Sequence, residues 1–324
     1  TGFNENKLQA LIKEKVTFKT FFEQAKIHPN AYMIKGVVCG YRIEEIPEEF
    51  KLYKQCRQME KLIDELENQK TELENGNYNI GKVIKLNKTI TLKAQNNGHV
   101  TLYPQRSTFV DIGDMGSVKL VNLTISGKQA PDSAGNTLIR TSRVPMQRNY
   151  RLEITGSVIE DLDVNHSFHL FDAGHRSFAD YIKITNTSIS NITGDILRLN
   201  KETDDLGIYN AEYIYFNHNK VTNVAGAIAK VYRGGTDEST FGPHFIMSDN
   251  QLKSVGNGKR NKRGAAVYLH GVQVAQINAN KIVDAAGIEI EHTVGEPVTA
   301  VTNNEFSNSE LPNVVELRVK GPQT

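Results

Sequence analysis

The sequence predicts an all-β fold, a right-handed parallel β-helix (a solenoid) with an N-terminal helical cap. Three observations lead there. Helical periodicity ends near residue 77 of the 324. The remainder repeats at about thirty residues with only strand-like patterns, the signature of one solenoid coil. Asparagine is also in excess, with 30 residues by count, and several recur at one fixed place in the repeat.

The N-terminal part comes first. Residues 5–28 and 45–75 read as helical. Pro47 stands where a helix can start, with Glu48 and Glu49 in its first turn. Leu52, Cys56, Met59, Leu62, Ile63, Leu66 and Leu73 recur at three and four residues, and Asn75-Gly76-Asn77 ends the pattern. Residues 32–39 could form a short strand. The division expected is a helical segment and cap over 1–76 and a β-helix over 77–324. An open coil end exposes unpaired backbone, so a cap is required there.

The repeats align without gaps. Residues 181–194 match 213–226 at an offset of 32, then 244–256, 274–287 and 298–309 follow. The first apolar column is Leu120, Ile154, Ile184, Phe216, Met247, Ile277 and Val301. The second is Ile125, Ile159, Ile189, Val221, Leu252, Ile282 and Phe306. Between them Asn219, Asn250, Asn280 and Asn304 align. Coils stack about 4.8 Å apart, so these asparagines form a ladder that hydrogen-bonds turn backbone. A β-propeller has a similar period, but each blade needs about four strands with tight hairpins, and no Asn-Gly or Asp-Gly hairpin signal recurs with the repeat.

Composition excludes several function classes. The net charge is +1, so no global field favours nucleic acid or an anionic membrane. No apolar run is long enough to span a bilayer. Two cysteines exclude a disulfide-rich scaffold. The first residues are polar with no signal-peptide pattern, which a mature chain would have lost. No Cys/His spacing suggests zinc, and no phosphate-binding loop or nucleophile elbow is present.

A second strand in each coil carries the chemistry. In the Gly194/Gly226 register Arg198 stacks on Lys230, Asn200 on Tyr232 and Lys201 on Arg233. His270 and His292 fall within a residue of that place on later coils, and Asp172 and His175 near it on an earlier one. The expectation is a ribbon of Lys, Arg and His that binds an anion, because stacked cations about 5 Å apart repel by roughly 1 kcal/mol or more. Irregular segments 202–212 and 234–243 follow directly on Lys201 and Arg233. Their Asp204, Asp205, Asp237 and Glu238 are expected to pair with those cations; they do not follow a calcium-loop spacing. The basic loop 259–263 reads as a solvated turn or a contact to an acidic polymer.

Residues 232–243 (YRGGTDESTFGP), with 200–205 (NKETDD) upstream, resemble the C-terminal β-helix half of two-domain alginate lyases of polysaccharide lyase family six, the chondroitinase-B-like group. Residues 269–273 (LHGVQ) and 291–297 (EHTVGEP) extend the resemblance, which covers about 47–324. It implies a bacterial, secreted or periplasmic lyase that cleaves acidic, uronate-containing polysaccharide by β-elimination. The family's catalytic half uses a Lys base and an Arg on adjacent coils, usually with calcium held by Asn and Glu. Lys201 and Arg233 occupy positions like that pair. Arg198, Tyr232, His270 and His292 become the expected substrate-binding residues.

Two departures stand out. Arg233 is followed by Gly234-Gly235 where the catalytic half tends to have His-Gly. Gly194, Asp195 and Ile196 stand where paired glutamates are expected. No metal or other cofactor is therefore expected. In such chains the catalytic half precedes this one, so a catalytic β-helix upstream is the implied partner.

β-Elimination removes the proton at C5 of a uronate and expels the C4 oxygen. Arg suits the carboxylate because its fork matches two oxygens, and a nearby cation depresses a Lys base. Tyr209, Tyr232, His270 or His292 could protonate the leaving oxygen or stack on sugars. A non-catalytic domain that binds uronate polymer, or packs on a catalytic half, needs only the same charges. A trimeric fibre would show an outward apolar column, which the sequence lacks.

Overall fold

The structure, a computed structural model, describes all residues except 1, 2, 4, 28–30, 33, 35, 36, 39, 40, 68, 143, 144, 236–238 and 317–324. It divides into two units, Thr1–Gln69 and Lys70–Thr324. The first contains helices α1 (Glu5–Lys13), α2 (Phe18–Gln24) and α3 (Lys51–Glu67), and a two-residue antiparallel pair, Val37–Val38 with Tyr41–Arg42. Thr17 caps α2, its hydroxyl accepting from the Thr20 amide at 3.2 Å. Pro47 opens a 3-10 turn that leads into α3, as its fixed φ favours. The helix is shorter than its periodicity suggests. Gln69–Leu73 is a strand, paired beside Thr89–Ala94 in a sheet. Local spacing continued the helical pattern through Leu73, but pairing across the sheet decides the backbone.

From Gln69 the chain winds through nine coils of a right-handed parallel β-helix, each with three strands. Sheet A runs from Gln69–Leu73 to Val298–Thr302, sheet B from Gly76–Ile80 to Glu305–Ser307, and sheet C from Ile84–Leu86 to Asn313–Glu316. The strand register carries both apolar columns. Leu120, Ile154, Ile184, Phe216, Met247, Ile277 and Val301 pair in succession on sheet A. Ile125 through Phe306 do so on sheet B. Their side chains fill the interior, a single core sealed from coil to coil.

The corner between sheets A and B fixes the stacking. Its first residue is left-handed in seven consecutive coils: Asn122, Gly156, Asn186, His218, Asp249, Ala279 and Asn303, with φ from 51° to 59°. Such a backbone costs a non-glycine residue about 1 kcal/mol or more. The next residue offsets that cost. The amides of Thr187, Asn219, Asn250 and Asn280 donate to Oδ1 of Asn219, Asn250, Asn280 and Asn304 at 2.8–3.0 Å. The same asparagines donate Nδ2 to the carbonyls of Ile184, Phe216, Met247 and Ile277. Asn219, Asn250 and Asn280 are buried. The asparagine excess is therefore structural.

Sheet B carries a second polar ladder that the sequence did not announce. Asp161, Asn191, Asn223, Ser254, Asp284 and Asn308 are also left-handed. Asn191 donates to Asp161, Asn223 to Asn191, and Asn308 to Asp284.

Replacing buried Asn250 with Leu should destabilise the fold by about 1–3 kcal/mol, because turn amides lose their acceptor. Replacing exposed Lys253 with Ala should cost less than about 0.5 kcal/mol. Denaturant unfolding of both variants checks this, and equal losses would remove the ladder argument.

Candidate functional site

The outward face of sheet C alternates in sign. Lys85, Asp111, Arg140, Asp172, Arg198 and Lys230 occupy one register column. Arg140 donates Nε and Nη2 to Asp111 at 3.0 and 2.8 Å. Arg198 grips Asp172 with two bonds of 2.7 and 2.5 Å. The expected cationic ribbon is thus a ladder of ion pairs. Its one like-charged neighbour pair is Arg198 and Lys230, and Asp195 enters from the corner to compensate, 2.7 Å from Lys230.

Asp195 sits at the centre of a buried network. Its Oδ1 accepts from the Ala227 amide at 2.9 Å and from Lys230. Its Oδ2 lies 3.3 Å from His169 Nδ1, while His169 Nε2 lies 2.8 Å from Arg198. His169 Nδ1 also accepts from the Asp195 backbone amide at 2.9 Å, so the ring is held between Arg198 and Asp195 from both sides. Burial opposes ionisation of Asp195. The His169 hydrogen bond and the Lys230 charge overcome it and hold the carboxyl well below the usual carboxylate range. Burial likewise opposes the Arg198 charge, and Asp172 more than restores it.

This network borders a cleft of about 340 Å³ at the corner between sheets B and C. Its shape follows from corner lengths. The fifth and sixth coils turn tightly through 193–196 and 225–228 and form the floor. The fourth and seventh turn through the longer 163–168 and 256–264 and form walls. Glycine is required on the floor: a Cβ at Gly194 would stand 2.5 Å from Phe168 O, and one at Gly226 2.3 Å from Gly194 O. An adjoining recess shares Ser167, His169 and Arg260 and reaches Arg198.

The residues expected from sequence divide around this cleft. Arg198 and Asp172 join its network. Lys201 is exposed, 4.0 Å from Asp172 Oδ1. Arg233 follows Tyr232, whose strand pairs next to that of Lys201, but it is only 1 % exposed. Its Nη1 donates to the Gly234 and Gly235 carbonyls at 3.3 and 3.4 Å. The guanidinium is therefore not on the open surface beside Lys201. Tyr232 stacks flat on His270, with centroids 4.0 Å apart. His270 and His292 are buried, and His292 Nε2 meets Thr299 Oγ1 at 3.1 Å. Neither histidine lines the cleft. Burial pushes the His270 pKa down, favouring the neutral ring.

Asp204 and Asp205 are exposed; Asp204 approaches His175 at 3.8 Å and no expected cation. Asp237 and Glu238 lie outside the described residues. Tyr209 is pushed up to about 12, by burial first and then by Glu212, whose carboxylate accepts its proton at 3.0 Å. Sequence reasoning missed Glu202. It is 1 % exposed and anchors the 202–212 segment through the Arg176 amide, Asn210 and His175.

Asp195 uses both oxygens on Lys230, Ala227 and His169, and no group of three potential His, Cys, Asp or Glu ligands occurs among the described residues.

Comparison with solved structures bears on this architecture. The chain superimposes on the PL6 family alginate lyase AlyGC with a TM-score of 0.75 and 50% identity, over 81% of this chain and 37% of that one. An arginine-to-alanine mutant of AlyGC matches at a TM-score of 0.74 and 50% identity, over 78% and 35%. The β-helix is a PL6 relative. It spans little more than a third of the length of these PL6 enzymes. The N-terminal segment has a kinship of its own: residues 1–74 match the family described as an uncharacterized protein conserved in bacteria, DUF2200. No curated protein matches the chain. Among the described residues no helix is long and apolar enough to cross a membrane.

Removing the buried Asp195 carboxylate leaves half-buried Lys230 without its partner and the Ala227 amide without its acceptor. Asp195→Ala should cost about 3 kcal/mol at pH 7. A depressed carboxyl pKa stabilises the fold above the unfolded value of about 3.9 and loses that contribution as pH falls below it. Urea unfolding at pH 7 and pH 3 should therefore show a difference from wild type that shrinks at the lower pH. A difference independent of pH would contradict the charge assignment.

Proposed function

We propose that this chain is a polysaccharide-binding β-helix of an alginate-lyase-type enzyme, holding uronate-containing polymer without cleaving it. The observation that carries this is the buried Arg233. A lyase must bring a cation onto the substrate carboxylate as charge develops at C5. Here that guanidinium is held by its own loop carbonyls. Lys201, the base expected beside it, lies 4.0 Å from the carboxylate of Asp172, which Arg198 already holds. What sheet C retains is a rigid, charge-paired surface, suited to orienting an acidic chain.

The partner in this reading is a separate catalytic β-helix. Its basis is the fraction of AlyGC that the chain spans. The polymer is extracellular or periplasmic material, so the domain is assigned to that side of the membrane. The reading gives calcium no part.

Affinity electrophoresis in alginate-containing gels, with dextran gels as the neutral control, tests binding. Ultraviolet absorbance of unsaturated product tests cleavage. The expected result is retardation by alginate alone, weakened by salt, with no product. Product formation that disappears in Lys201→Ala would overturn the non-catalytic reading, and absence of retardation would overturn binding.

A further inference from the structure

We infer that the loop over the corner cleft is a carboxylate-reading subsite for a uronate polymer, with Lys259 and Arg260 as its contact residues. The inference rests on the polysaccharide-binding reading and locates it at a place the Lys201–Arg233 pair does not reach.

Asp195 answers Lys230, and Asp172 answers Arg198, so the floor is internally compensated. Lys259 and Arg260 have no carboxylate within ion-pair distance, yet both line the cleft. Two uncompensated cations therefore overhang a neutral floor, and the cleft as a whole attracts an anion. Its volume of about 340 Å³ falls in the range of small-ligand sites.

The loop is also held in place before any ligand arrives. The Gly258 amide donates to Ala225 O at 2.9 Å, tying the wall to the coil below. A Cβ at Gly258 would meet the Ala225 Cβ at 2.6 Å, so only glycine permits that approach. Asn261 is buried and donates both amide hydrogens inward, to Gly256 O at 2.7 Å and Ala265 O at 2.8 Å. The basic residues on either side of these anchors behave differently. Arg263 is committed to Glu289 and to the Tyr268 ring, 4.0 Å from the guanidinium carbon. Lys259 and Arg260 face the cleft in a turn already ordered, which lowers the entropic cost of binding.

Geometry also gives the polymer a direction. Walls from the fourth and seventh coils leave the cleft open along the strands of sheet C. A chain lying there crosses the solenoid axis and passes Lys230 and Arg198 after the corner. Carboxylates repeat along a uronate polymer, so one is available to Arg260, whose planar fork matches two oxygens.

Isothermal titration with alginate oligosaccharides at low salt tests the assignment. The double variant Lys259→Ala/Arg260→Ala should bind at least about tenfold more weakly than wild type, the loss expected for about 1.4 kcal/mol. Lys253→Ala, exposed on sheet B, should stay within about twofold, and all three melting midpoints should agree. Unchanged affinity in the double variant, with wild type binding normally, overturns the subsite and leaves polysaccharide binding intact. No binding by wild type overturns both. Equal wild-type affinity for dextran sulfate overturns the carboxylate assignment in favour of any anionic sugar.

Discussion

One hydrogen-bonding arrangement supports the rest of the molecule. At the corner between sheets A and B seven consecutive coils enter a left-handed turn, and in the last four of these the asparagine after it bonds to the backbone of the preceding coil. The turn is strained, and buried amides there would be costly without acceptors. The side chain resolves both at once, and it does so only if consecutive coils are in register. Register then aligns the apolar columns inside and the charged columns outside. The interior packing and the outer ion pairs are consequences of one repeated corner.

That rigidity has a use at the opposite corner. With the coils fixed, variation is confined to the connections between strands, and here it is the connection between sheets B and C. Two tight corners beside two longer ones make a cleft with no movement of the scaffold. The charges behave in the same way. Sheet C places acid against base from coil to coil until Arg198 meets Lys230. There a side chain from the corner, Asp195, is buried to restore the balance. Among the described residues that line the cleft, the cations left without a carboxylate are Lys259 and Arg260 on the wall.

Much of the fold was legible from the residues. Both apolar columns and the aligned asparagines are visible because a solenoid turns three-dimensional neighbours into a constant sequence offset. The end of α3 was not, because residues 69–73 continue a helical spacing and their pairing partners lie some twenty residues ahead. The site was legible only in part. The stacking of Arg198 on Lys230 follows from the repeat. The burial of Arg233 does not, since it depends on how the Gly234–Gly235 turn aims its carbonyls. His169 and Asp195 meet across corners of unequal length, so no fixed offset relates them. Asp195 was noticed as a departure from a family pattern, and its actual role is the centre of a charge network.

Similarity to the PL6 enzyme extends to the scaffold and to half of the aligned residues, but the chemistry depends on which side chains reach solvent. The account places polymer on the corner cleft, away from the segments after Lys201 and Arg233. Hydrogen–deuterium exchange with and without alginate oligosaccharide tests this most directly, because it reads each backbone segment separately. Slower exchange in 256–264, with smaller effects in 193–196 and 225–228, is the expected footprint. Protection confined to 202–212 and 239–243, with the corner loop unchanged, would contradict the account.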